Sequence, residues 1–176
     1  MILGLDISTS ITGVTIIDKT GICIYNEMWD TRNKNHFPTL YHKAKVIKDK
    51  LTCLKDKYLI EEIYIEQSLQ SFRSGFSSAQ TLSTLSRFNG IVSWQCYEMF
   101  GVQPEMLAAS SARKLVGIKV KKGEKAKEKS FHFVLANEPS FVVEYTKNGN
   151  PRPGSMDKSD SWVIGKAGYE IWKQKK

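Results

Sequence analysis

Four acidic side chains stand where acids are costly. Asp6 closes the apolar run ILGLD, Glu66 closes IYIE, and Asp157 and Asp160 open the segment MDKSDSWVIGKAGYE three positions apart. Burying a carboxylate at the end of an apolar element is unfavourable unless something positive neutralises it. The chain nevertheless does so while carrying a formal net charge of +8. Such acids point to hard divalent cations. Mg²⁺ or Mn²⁺ fits, because both prefer carboxylate oxygen and both assist phosphoryl chemistry. Four like charges in one place also repel, which raises their pKa values until cations bind. Two such ions can activate a water and stabilise a leaving oxygen in phosphodiester hydrolysis.

The elements that must position these acids are legible in outline. Ile2 to Asp6, Gly13 to Asp18 and Ile22 to Trp29 read as three strands, rich in Ile and Val and separated by Ser8-Thr9-Ser10 and Lys19-Thr20-Gly21. Such short connections predict an antiparallel meander. Leu40, Ala44, Ile47, Leu51, Leu54 and Tyr58 recur at steps of three and four, which predicts an amphipathic helix. A short strand over Ile63 to Glu66 follows, then a polar loop over Gln67 to Ser78. A long helix runs from Ser78 to Phe100, with Gly101 as its stop. Val102 to Leu107 reads as a fifth strand, kept to an edge by Pro104. Ala112 to Val116 reads as a short helix, and Lys119 to Lys129 as a basic run leading into an amphipathic pattern that ends near Pro139. A loop over Lys147 to Ser155 precedes a last helix from near Asp157. On that helix Asp157, Asp160, Ile164, Ala167 and Ile171 share one face.

Composition bounds the rest. With 176 residues, 41% hydrophobic and 25% charged, the chain reads as one globular domain over 1–176. No apolar run approaches the roughly 20 residues of a membrane span, and no basic-then-apolar leader opens the chain. A soluble, cytoplasmic protein is expected, with an organelle as the other setting. Cys23, Cys53 and Cys96 show no CxxC spacing and read as reduced thiols; His36, His42 and His132 do not cluster with them. A pI near 9.3 points towards nucleic acid.

The order of elements is that of an α/β ribonuclease H-like fold, a mixed five-stranded sheet flanked by helices. Within it, GLDISTSITGVTIID, IEQSLQ, the run from AQTLSTLSRFNG to SSARKLVGIK, and DKSDSWVIGKAGYE resemble, in order, the RuvC family of Holliday-junction resolvases. The resemblance covers most of the chain and suits a phage-type member. It implies that Asp6, Glu66, Asp157 and Asp160 are the metal-binding catalytic acids, holding two Mg²⁺ or Mn²⁺. It implies a homodimer that cuts four-way DNA with paired symmetric nicks, leaving 5′-phosphate and 3′-hydroxyl ends. Broader action on flaps, forks and Y-junctions is the alternative, and non-catalytic binding of branched DNA a lesser one. The cell would be a bacterium or a phage-infected host.

Contacts to DNA are expected from two segments. Lys119 to Lys129 holds six lysines and two glutamates. It reads either as a solvated helix start or as a phosphate-contacting surface, with Lys114, Lys122, Lys125 and Lys129 as candidates. In the loop after Glu66, Phe72 and Phe76 flank Arg73. The aromatics either staple a helix or wedge between bases at the branch point. Leu69 stands where bacterial relatives carry an aromatic. The helix over Ser78 to Phe100, with Trp94, is either the dimer surface or a fully buried central helix. Asp157 and Asp160 also have the spacing of a helix cap and a first-turn acid. Ser8, Thr9, Ser10 and Gly13 resemble the phosphate turn of sugar and acetate kinases, which need a second domain and further glycine-rich loops.

Overall fold

The first strand, β1 (Ile2–Asp6), is buried along its whole length. That explains its lack of polar alternation, since a strand covered on both faces reads as a continuous apolar run. β2 (Ile11–Ile17) and β3 (Cys23–Asp30) follow it as an antiparallel meander. β4 (Glu62–Glu66) pairs with β1 in parallel, and β5 (Glu105–Leu107) pairs with β4 in parallel. The mixed sheet has the order β3-β2-β1-β4-β5. A computed structural model describes residues 1–67 and 79–175.

Two layers of helices cover the sheet. α1 (Leu40–Lys55) and α2 (Ala79–Phe100) pack on one face against Leu3, Leu5, Val14, Ile16, Ile63 and Ile65. α3 (Ala109–Leu115), α4 (Ala126–Asn137) and α5 (Ser155–Gln174) cover the other, where Ile2, Ile17 and Tyr64 meet Ala112, Val134, Ile164 and Ala167. Each large aliphatic side chain buried this way contributes about 1.5–3 kcal/mol. Among the described residues no helix is long and apolar enough to cross a membrane.

α1 begins where Thr39 accepts a hydrogen bond from the His42 backbone N–H, and it buries Ala44, Ile47, Leu51 and Leu54. The periodic face ends there, and Tyr58 lies beyond the helix. The expected strand over 102–107 is confined to Glu105–Leu107, at the sheet edge as Pro104 requires. β2 starts at Ile11 rather than Gly13, because Ile11 and Thr12 find partners in Asp30 and Trp29. The short helix begins at Ala109, earlier than expected. α2 is amphipathic rather than fully buried. It hides Phe88, Asn89, Val92 and Cys96, while Trp94 is 62% exposed and meets the exposed Tyr97 ring at a tilt, with centroids 5.7 Å apart.

Candidate active site

Alternation along the strands decides where the acids face. In β1, Ile2 and Gly4 turn to the α5 side, so Asp6 does too. In β4, Tyr64 lies in that same layer, and Glu66 follows it two residues on. The parallel register sets Leu5 beside Ile65, so Asp6 and Glu66 leave neighbouring strands at the same end and on the same face. The Glu66 backbone is fixed from both sides. Its carbonyl accepts from Asn89 Nδ2 at 3.4 Å, and the next residue, Gln67, donates its N–H to the Leu107 carbonyl at 2.8 Å.

α5 brings the other acids, and small residues let it approach. A Cβ on Gly4 would collide with the Gly165 backbone, and a Cβ on Gly13 with the Asp157 carbonyl. A buried chain of hydrogen bonds sets the rotation of the helix. Asn26 Nδ2 donates to Thr15 Oγ1 at 2.7 Å and to the Lys158 carbonyl at 3.0 Å. Thr15 Oγ1 meets Ser161 Oγ at 2.9 Å, and the Ser161 hydroxyl donates to the Lys158 carbonyl. Because the Ser161 proton is used there, Thr15 is the donor of the pair. The helix itself starts at Ser155 with the left-handed Gly154 as its cap. Asp157 is therefore a first-turn acid and not the cap, and Asp160 is buried one turn later.

Asp6, Glu66 and Asp160 converge, with one carboxylate oxygen from each lying within 4.8 Å of the others. Oxygens bound to one Mg²⁺ at about 2.1 Å lie at most about 4.2 Å apart, so the trio needs only a small contraction to hold such an ion. Asp157 stands outside that trio, half-buried beside it. The donor set is oxygen only, as a hard cation requires. Asp160 is 4% exposed, and its Oδ2 has no hydrogen-bond partner among the described residues. It is ion-paired instead, at 2.9 Å from Lys127 Nζ. A buried carboxylate oxygen left in this state is a ligand in waiting.

The electrostatics follow from this crowding. Burial, then the charges of Glu66 and Asp160, hold the Asp6 carboxyl well above the ordinary range, against the pull of Lys127. Burial and Asp160 push Glu66 up to about 7, opposed by Lys127 and Arg113. Asp157 is also raised by burial, with Lys127 acting against it. Burial works against the Lys127 ammonium, but attraction to Asp160 and Asp6 outweighs it and pushes its pKa up.

Lys127 is a residue the sequence reading passed over. Ser130, Phe131 and Val134 form the buried stripe of α4, and Lys127 continues it at the i, i+3, i+4, i+7 spacing. Of the four lysines proposed as DNA contacts, Lys125 pairs with Glu128 at 2.8 Å and Lys129 with Glu124 at 3.2 Å. Lys114 and Lys122 are exposed. The residue before Lys114, Arg113, is the one whose charge reaches Glu66. On the opposite side Arg32 acts on Asp157 while gripping Asp30, its Nη2 at 2.6 Å from Oδ2. Phe72, Arg73 and Phe76 lie outside the described residues.

The Ser8-Thr9-Ser10 turn closes the β1–β2 hairpin. Ser8 Oγ accepts from the Ile11 N–H at 3.0 Å and donates to the Ile11 carbonyl, while Lys43 of α1 holds the Thr9 carbonyl. These groups serve the turn itself, which removes the basis for a kinase-like phosphate loop.

No protein-family model matches the sequence, and no curated protein matches it. Solved structures do. A Thermus thermophilus RuvC in complex with Holliday junction substrate is 12% identical with a TM-score of 0.67, over 98% of this chain and 94% of that one. A second Thermus thermophilus RuvC structure is 16% identical at 0.64, over 99% and 96%. The yeast mitochondrial Holliday junction resolvase is 12% identical at 0.62, over 98% and 79%. The chain therefore carries the RuvC form of the ribonuclease H-like fold.

Proposed function

We propose that this protein is a Mg²⁺-dependent DNA endonuclease that resolves four-way junctions by paired symmetric nicks. The observation that carries the reading is the convergence of Asp6, Glu66 and Asp160, with one oxygen of each within 4.8 Å of the others, in a fold shared with two kinds of resolvase, one of them seen on its junction substrate. These three acids, with Asp157 adding charge beside them, would hold two Mg²⁺ or Mn²⁺. When bound, such ions supply an activated water and stabilise the leaving 3′-oxygen. Hydrolysis in that sense leaves 5′-phosphate and 3′-hydroxyl ends.

The chain's own part is positional. Neighbouring strands fix Asp6 and Glu66, and the Thr15–Ser161 contact fixes the rotation that delivers Asp160. Arg113 and Arg32 flank the acids from opposite sides and suit the phosphates either side of a cut strand. A two-fold junction calls for two such sites related by a dyad. The exposed Trp94 and Tyr97 on α2 supply an aromatic patch of the kind that seats a second copy.

The test is direct. Mobile and immobile four-way junctions, flaps, forks and linear duplex are incubated with the protein, with and without Mg²⁺, and the nicks are mapped. Symmetric nicks in four-way junctions alone are expected. Equal cutting of flaps and forks would transfer the assignment to a general branched-DNA endonuclease. Binding without cutting under any divalent ion would leave a non-catalytic junction-binding protein.

A further inference from the structure

Lys127 belongs to α4, an element that contributes none of the acids, yet its ammonium stands 2.9 Å from the Oδ2 of Asp160. Attraction to Asp160, Asp6 and Asp157 holds it charged there. The contact is made at a single point, between the ammonium and one oxygen of the carboxylate, Oδ2. The bidentate grip of Arg32 on Asp30 shows the contrast: there Oδ1 accepts from Nε and Oδ2 from Nη2 of the guanidinium. The Lys127 side chain is also 60% exposed, although the carboxylate that it meets is 4% exposed. Its neighbours on either side are occupied, Lys125 by Glu128 and Lys129 by Glu124. An ammonium on a solvent-exposed stem thus faces a buried group of carboxylates that would otherwise repel one another.

From this arrangement we infer that Lys127 is a built-in counter-ion, holding the acid cluster together before divalent cations arrive and displaced from Asp160 when they bind. The inference rests on the metal-site reading above and deepens it. A buried carboxylate cluster without any positive partner would be costly in the metal-free protein. A guanidinium would satisfy it too firmly to leave, whereas an ammonium on a solvent-reachable stem can exchange. Metal and lysine then compete for the same oxygen, so each weakens the other's hold by the same factor. A purely structural salt bridge between α4 and α5 behaves differently, because its loss weakens the protein with or without metal.

The test uses the DNA-free protein and Lys127→Met, with Lys129→Met as a control. Mg²⁺ and Mn²⁺ affinities are measured by calorimetry, and melting is followed in EDTA and in saturating Mg²⁺. For Lys127→Met we expect a metal Kd lowered about tenfold, a lower Tm in EDTA, and a Tm that rejoins wild type in Mg²⁺. Lys129→Met should match wild type in metal affinity. Metal affinity that is unchanged or weaker in Lys127→Met, or a deficit in Tm that persists in Mg²⁺, overturns the counter-ion role. Should Lys127→Met not fold in EDTA, rescue by Mg²⁺ supports the inference and failure in both media overturns it. Metal binding by wild type with no change in the variant removes only this role. Absence of binding by both removes the metal-site reading as well.

Discussion

Gly13 lies against the backbone carbonyl of Asp157, so close that no side chain fits between them. The strand that returns from Asp6 is thereby the bed on which the last helix rests, and the spacing of that bed sets how far Asp160 reaches. Gly13→Ala should force α5 outward. Overpacking of this kind costs about 1–3 kcal/mol, which lowers the Tm by about 2–4 °C per kcal/mol in a domain of this size. Cleavage should fall more steeply than stability. Thermal melting alongside nicking rates checks this; a variant with lowered Tm and wild-type nicking would detach the Gly13 contact from the site.

Neutral amides at the acids should separate binding from chemistry. Asp6→Asn, Glu66→Gln and Asp160→Asn each remove a metal ligand and no phosphate contact. Loss of several kcal/mol of charge stabilisation corresponds to about a thousandfold or more in rate. Asp157→Asn should lower the rate as well. Junction affinity, read by gel shift in Ca²⁺, should be kept in all four. Nicking near the wild-type rate in any two of them would remove the assignment.

The metal-free protein should lose stability as pH rises. Glu66 is pushed up from 4.5 to about 7, so the folded state holds its proton more tightly than the unfolded state does. The stabilising contribution is complete below about pH 4.5 and is lost as pH climbs through about 7. Acids shifted the other way, such as Glu61 at about 2 beside the N-terminal amine and Lys19, complete their gain below that window. Melting curves in EDTA between pH 5 and 8 should therefore slope downwards, and Glu66→Gln should flatten the slope. A rising curve would contradict the crowding of the acids.

Salt dependence tests the basic segment. If Lys122, Lys125 and Lys129 meet phosphates, neutralising all three should flatten the log–log salt dependence of junction binding by about 0.9 per lost contact. The glutamate partners of Lys125 and Lys129 make Lys122 the largest single contributor. An unchanged slope would return the segment to a solvated helix start.

Trp94 is the natural probe of assembly. An aromatic anchor at the centre of an interface commonly contributes about 2 kcal/mol or more, so if Trp94 seats a second copy as proposed, Trp94→Glu should shift that dimer towards monomer by about thirtyfold in Kd. Sedimentation over a range of concentrations measures it. Wild-type association in the variant would place the dimer surface elsewhere.

The acids were legible in the sequence because strand-ending carboxylates have few bland explanations. Asp6 and Glu66 end apolar runs, and Asp160 continues the apolar stripe of its helix. The departure of Asp157 from the trio was not legible, since spacing of three predicts a shared face without saying which side chain lies deeper. Lys127 was hidden among six lysines of one composition. Only the start of α4 at Ala126 sets the phase that turns Lys127 inward. The amphipathic character of α2 was likewise blurred by Gly90 and by serines on both faces. The role of Gly13 depends on a helix far along the chain, and no local pattern announces such a meeting.

The hydrogen bond between Thr15 and Ser161 spans 146 residues, and it has a consequence for synthesis. During translation β1 and β2 leave the ribosome long before α5, so they wait without the cover that buries one of their faces. Contacts this distant in sequence form late and slow the folding reaction. No nascent fragment lacking α5 can place Asp160 beside Asp6. The three acids therefore cannot come together in any fragment that lacks α5, and on the proposed function such a fragment would be unable to nick DNA.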